Sequence, residues 1–208
     1  MSLDLSNTKI SSAALDALVD RPLNKLSVAG TNVSADELIG FIDRRTRNLG
    51  FKARLSELDV SDMNWTVGDL SRVLSSDLLG EAIAIRGYGL TDQQFIDLLS
   101  APRTANQFSH VDARNNNLTG SFMGDLTTPN YLNRLRLDEN PISDQALKAV
   151  VAKNIGFKAY QLSFSKTKLT DAGLLTMPSL FFAGELWLGE GDYTEDGLHS
   201  TVPHRSKI

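Results

Sequence analysis

The stretch Leu132–Ile142 reads LNRLRLDENPI, with leucines at 132, 135 and 137, Asn at 140 and a closing apolar residue at 142. That spacing is L-x-x-L-x-L-x-x-N-x-L, the signature of a strand followed by a turn in a repeating architecture. Leu135 and Leu137 stand two apart and share one face of an extended segment, while Arg134 and Arg136 share the other. Asn140 follows where the chain must turn, and its amide can hydrogen-bond the turn backbone.

The same pattern can be laid along the chain eight times. FSHVDARNNNL (Phe108–Leu118), LNKLSVAGTNV (Leu23–Val33) and LSELDVSDMNW (Leu55–Trp65) are further full copies. LDLSNTKI at 3–10 lacks the opening position, and IAIRGYGL (83–90), LSFSKTKL (162–169) and LWLGEGDY (186–193) complete the set. Marking the second inward apolar residue gives Leu3, Leu26, Leu58, Ile83, Val111, Leu135, Leu162 and Leu186, with steps of 23, 32, 25, 28, 24, 27 and 24. The Asn position is filled by Thr8, Thr31, Met63, Tyr88, Asn116, Asn140, Thr167 and Gly191. Met63, Tyr88 and Gly191 cannot bond the turn as Asn or Thr does, so irregularity is expected in the third, fourth and eighth copies.

Helices fill the intervals. Ser34-Ala35-Asp36-Glu37 and Thr91-Asp92-Gln93-Gln94 are capping boxes, a hydroxyl followed three residues on by Glu or Gln. Apolar residues follow at helical spacing: Leu38, Phe41 and Ile42; Phe95, Leu98 and Leu99; and, after Ser143-Asp144, Leu147, Val150 and Val151. Asn48-Leu49-Gly50-Phe51-Lys52-Ala53 and Asn154-Ile155-Gly156-Phe157-Lys158-Ala159 are near-copies suited to helix C-caps with a left-handed glycine.

Strand, turn and helix in repeats whose steps alternate short and long resemble the ribonuclease-inhibitor-like class of leucine-rich repeats. The resemblance implies an α/β fold: a horseshoe solenoid of about eight repeats, with a parallel sheet on the concave face and α-helices on the convex face. It spans residues 1–208 as a single domain. No unit can bury both its strand and its helix alone, so each depends on its neighbours. The pattern is already running at Leu3 and the chain ends at HSTVPHRSKI with no evident closing element, so a longer parent protein is expected.

Composition narrows the function. The 21 basic and 25 acidic residues nearly balance at a net charge of -4, which gives no overall field toward nucleic acid or an anionic membrane. Absence of cysteine excludes thiolate catalysis and Cys-built zinc sites and fits a reducing compartment, so a cytoplasmic location is expected. Apolar runs such as Leu180–Ala183 fall far short of the roughly 20 residues that span a bilayer. The histidines, at 110, 199 and 204, show no metal-ligand spacing. Neither Gly184–Asp192 nor Gly80–Gly89 has the order of a Walker loop or a dinucleotide fingerprint. Ser6, Ser27, Ser61 and Ser163 lie on strands outside any G-x-S-x-G and read as solvated hydroxyls. No cofactor, metal or catalytic residue is expected.

Binding is the remaining possibility. The outward strand rows read Asp4, Ser27, Asp59, Ala84, Asp112, Arg136, Ser163, Trp187; then Ser6, Ala29, Ser61, Arg86, Arg114, Asp138, Ser165, Gly189; and, on the other side, Ser2, Lys25, Glu57, Ala82, His110, Arg134, Gln161, Glu185. Arg86, Arg114, Arg134 and Arg136, with His110 and Asp112 among them, form the candidate partner-binding cluster, and Trp187 is a second anchor. Pairing of the arginines with Asp112 and Asp138 is the rival account.

The repeat class implies a protein-interaction scaffold rather than an enzyme. LDLSNTKISSAALDALV (3–19) and LSELDVSDMNWTVGDLSRVL (55–74) resemble the uneven repeats of CARMIL cytoskeletal regulators, which would imply the scaffold portion of such a protein. A GTPase-activating protein of the Ran-regulator kind, or the target-recruiting repeats of a bacterial effector, are the alternatives.

Overall fold

The structure, a computed structural model, describes residues 1–76, 79–101, 107–126, 132–153, 159–177 and 184–197, with Ser12 and Phe51 described by backbone alone. The second Asn-x-Gly segment, at 154–158, and His199 and His204 lie outside the described residues. The chain divides into two compact units, one formed by the described residues of Met1–Tyr88 and Ala101–Phe108, the other by those of Gly89–Ser100 and from Ser109 onward.

Both units are α/β with parallel strands. The first holds β1 (Ser2–Asp4), β2 (Lys25–Ser27), β3 (Leu55–Asp59) and β4 (Leu79–Ala84), with helices α1 (Ser12–Asp16), α2 (Ala35–Leu49) and α3 (Val67–Leu74). Leu3 pairs with Leu26, Leu26 with Leu58 and Leu58 with Ile83. The second unit holds α4 (Asp92–Ser100), β5 (His110–Asp112), β6 (Leu132–Arg136), α5 (Asp144–Ala152), β7 (Ala159–Ser163), α6 (Asp171–Leu174) and β8 (Glu185–Trp187). There Val111 pairs with Leu135, Leu135 with Leu162 and Leu162 with Leu186. The sequence markers are therefore the strand register within each unit. Most of these residues are buried, with Leu3 and Leu186 half-buried at the outer strands.

The third and fourth copies do differ, by a register shift between β3 and β4, but it falls at the strand starts, between Leu55 and Glu57, rather than at the turn positions Met63 and Tyr88 where irregularity was expected. Gly80 accommodates it, since a Cβ there would come within 2.5 Å of the Ser56 Cα.

The helices begin as their caps dictate. Ser34 and Glu37 form a reciprocal box, and Thr91 and Gln94 exchange the same bonds at 3.0 and 3.4 Å. Thr66 and Asp69 form a third box, which a search for Glu or Gln passes over because the shorter acid serves as well. Ser143 caps α5 by accepting the Ala146 N–H. Leu38, Phe41, Ile42, Phe95, Leu98, Leu99, Leu147 and Val150 are buried and Val151 half-buried. Gly50 ends α2 at φ 55° as expected, but its ψ of -134° lies outside the left-handed helix and leads into a 3₁₀ turn, Gly50–Ala53.

A recurring bond closes the turns. Thr8, Thr31, Asn116, Asn140 and Thr167 each donate to the carbonyl three residues back, at 2.5, 2.7, 3.0, 3.0 and 3.1 Å. Met63 cannot donate to Val60, and Tyr88 supplies the missing bond from the next repeat, its hydroxyl reaching the Val60 carbonyl at 2.6 Å. One residue before each of these positions the backbone turns left-handed, at Asn7, Gly30, Asp62, Gly87, Asn115, Glu139 and Lys166, with φ between 53° and 76°.

Arg45 anchors the helix side of the first unit. Only 1% exposed, it donates to the carbonyls of Leu18, Val19 and Arg21 at 3.2, 3.2 and 2.8 Å and to those of Leu23 and Ala53 at 3.3 and 3.4 Å. Its guanidinium also lies over the Phe41 ring at 5.5 Å. Burial lowers its pKa, with Asp20 opposing. One planar cation thus satisfies carbonyls that a loop turning into the core would otherwise bury unpaired.

Candidate functional site

Side chains flanking the inward apolar residues stand on the opposite face of the strands. In the first unit Lys25 and Glu57 are adjacent in register and form an ion pair at 2.6 Å. Arg86 reaches back to Asp59 at 3.0 Å and to the Ser61 hydroxyl at 3.0 Å. Of the expected cluster, Arg86 is the one member in this unit. It serves the strand ends, gripping an acid and a serine of the preceding repeat.

The other candidates lie in the second unit. Arg114 makes two hydrogen bonds to Asp112, Nε at 2.8 Å and a terminal nitrogen at 2.7 Å, which hold its guanidinium protonated beyond its ordinary range. Arg136 stands 3.8 Å from the same carboxylate. Asp112 is thus shared, and the pairing favours Arg114. Asp138 forms no ion pair with an arginine among the described residues; it is buried, accepting the Ser163 hydroxyl and, at 2.7 Å, the Ser165 N–H. Arg114 and, at longer range, Arg136 are thus paired with Asp112 as the rival account has it, and Arg86 is paired with Asp59 in place of Asp112 or Asp138.

Two of the serines expected to be solvated are buried. Ser61 is 0% exposed and accepts the Arg86 N–H at 3.1 Å, and Ser163 is bound to Asp138. Ser6 and Ser27 share a hydrogen bond of 2.6 Å. Each hydroxyl stands where a neighbouring repeat presents a complementary group, so periodic stacking draws it out of solvent. His110 contacts the Ser109 hydroxyl at 2.9 Å and stands beside Arg134 in register.

A relay of hydrogen bonds crosses β6, β7 and β8. Arg134 Nε donates to Gln161 Oε1 at 2.6 Å, Gln161 Nε2 donates to Glu185 at 2.7 Å, and the Trp187 indole N–H donates to the same Glu185 oxygen at 3.3 Å. The row beside it reads Arg136, Ser163, Trp187 in register. A small serine between an arginine and a tryptophan leaves a slot of about 250 Å³, lined by Arg134, Arg136, Gln161, Ser163 and Trp187 over Leu135 and Leu162. Trp187 is 41% exposed. Sequence reading selected Arg134, Arg136 and Trp187 but missed Gln161, Ser163 and Glu185, whose roles depend on which residues face one another across strands.

Among the described residues, no group of His, Asp or Glu could hold a metal ion and no helix is long and apolar enough to cross a membrane. No protein-family model matches the chain, and no curated protein is significantly similar to it in sequence.

Proposed function

We propose that this chain is a leucine-rich-repeat solenoid of the ribonuclease-inhibitor-like class, acting in the cytoplasm as a non-enzymatic scaffold that binds a partner protein on its concave strand face. The resemblance to the repeats of CARMIL cytoskeletal regulators makes an actin-regulating assembly the first context to examine. One observation carries the binding role: Trp187, on a strand and tethered by its indole N–H to Glu185, keeps its ring open to solvent beside Arg136. A rigid, half-exposed Trp next to Arg is the side-chain pairing that interface hot spots favour, and it offers contact area at little entropic cost.

Photo-crosslinking tests this reading. A benzoylphenylalanine at position 187, expressed in the cell of origin, forms adducts with a partner protein, whereas the same group at Lys148, exposed on α5, does not. Adducts from Lys148 alone, or from neither position, sink the proposal.

A further inference from the structure

We infer that the slot between Arg136 and Trp187 takes a glutamate or aspartate side chain of an extended acidic peptide, the carboxylate on Arg136 and Arg134 and the neighbouring apolar residue on the Trp187 ring. The inference rests on the protein-binding reading above and specifies what that face recognises.

The make-up of the slot carries it. Ser163 separates Arg136 from Trp187 in register, so the two large side chains stand about 9 to 10 Å apart, the width of two strand spacings and room for one inserted side chain. Ser163 cannot fill the gap, because its hydroxyl is committed to Asp138. The lining holds two guanidinium groups and no carboxylate.

Those guanidinium groups also have capacity to spare. Asp112 is satisfied by Arg114 at 2.7 and 2.8 Å, which leaves Arg136 with an ion pair at 3.8 Å and no side-chain hydrogen bond among the described residues. Arg134 uses only its Nε, on Gln161. Terminal nitrogens of both arginines are therefore available, and a guanidinium matches a carboxylate with two parallel bonds.

The charge of the ligand is set by the margins. Asp112 on one side and Glu185 on the other temper the positive field, which suits a singly charged carboxylate and disfavours a phosphate carrying nearly two charges. Arg134 is oriented through Gln161 and Glu185 by the same relay that fixes Trp187, so the anion site and the aromatic shelf are positioned together. Holding Arg134 and Trp187 in place before the ligand arrives reduces the ordering cost of binding.

The test uses fluorescein-labelled octapeptides with a fixed central Glu, Gln or phosphoserine flanked by apolar and aromatic residues. They are titrated onto the full chain by fluorescence polarisation, alongside Arg136→Ala and Trp187→Ala proteins checked for folding by circular dichroism. Glutamate peptides are expected to bind, with affinity falling as salt is raised. Binding weakens about tenfold on Glu→Gln in the peptide and about tenfold in each protein variant, the loss of one charge-assisted contact. The peptide exchange alters no residue of the protein, so it decides the matter even where a variant misfolds. Equal binding of Glu and Gln peptides, tighter binding of phosphoserine, or binding unchanged in both folded variants overturns the inference. No peptide binding with crosslinking from position 187 retained overturns the acidic-peptide assignment alone; loss of both overturns the scaffold reading as well.

Discussion

Asp144 holds Thr170 of the following repeat by both carboxylate oxygens, Oδ1 accepting the Thr170 N–H at 3.0 Å and Oδ2 its hydroxyl at 2.6 Å. The same clasp joins Asp171 to Thr194, at 2.8 Å for both bonds, and Asp92 to Thr119. An acid in the first turn of one helix thus fixes the start of the helical segment in the next repeat. Asp144→Ala should cost about 2 kcal/mol, two charge-assisted bonds in a half-buried setting. A Cβ at Gly173 would fall on Asp144 Oδ1. Gly173→Ala should therefore destabilise, reversing the stabilisation of up to about 1 kcal/mol that Ala ordinarily brings to a helix. Urea midpoints of the two variants check this; a more stable Gly173→Ala protein would mean the clasp is not formed.

The left-handed column gives an opposite sign. Glu139 holds φ at 61°, a conformation that costs a residue with a Cβ about 1 kcal/mol. Its ion pair with Lys166, at 3.8 Å between exposed side chains, adds little. Glu139→Gly should raise stability by about 0.5 kcal/mol, while Asn115→Gly should leave it unchanged, because Asn already tolerates this region. Thermal melting of the pair decides it, and a loss on Glu139→Gly would count against the turn geometry.

Strand positions and register were legible because the inward Leu, Ile and Val residues recur where only burial explains them. The left-handed column was not read from the sequence: Asn7, Gly30, Asp62, Gly87 and Asn115 are residues that accept positive φ, but Glu139 and Lys166 break the pattern. Nor was Arg45, because a charged residue on a predicted helix reads as solvated until the loop carbonyls that surround it are known. The slot was half legible: Arg136 and Trp187 stand out by type, but Ser163 matters only as the small residue between them. Pairing Asp112 with Arg114 rather than Arg136 is a matter of distance, which no spacing reveals.

Tyr88 makes the first unit sensitive to alkali. Burial, reinforced by Asp59 and Asp62, raises its pKa well above the ordinary value of 10.0. With the folded value raised, its contribution is fully present below the unfolded pKa and is lost as pH climbs toward and through the folded one, at up to about 1.4 kcal/mol per pH unit. Tyr88→Phe loses the Val60 hydrogen bond, about 1 kcal/mol at neutral pH, but is spared that decline. Denaturant midpoints of the two proteins should therefore converge above pH 10, and parallel curves would refute the burial of this phenol.

Asn140 is where one side chain serves two repeats. Its amide nitrogen donates to Leu137 at 3.0 Å, to Asp138 at 3.3 Å and across to Ala113 at 2.9 Å, and its oxygen accepts the N–H groups of Asn116 and Leu118 at 3.2 and 3.1 Å. The residue is buried, so deleting it strands backbone groups of both turns away from water. Asn140→Ala should cost about 3 kcal/mol on that account. Asn140→Thr keeps the bond to Leu137, as Thr167 does to Phe164, and should recover about 1 kcal/mol of it. Thr167→Val removes a single bond and should cost about 1 kcal/mol. The ranking Ala, then Thr, then Thr167→Val in urea denaturation separates a bond shared between repeats from one confined to a single turn; equal losses for Asn140→Ala and Thr167→Val would show that the contacts from Asn140 to its neighbouring repeat contribute nothing.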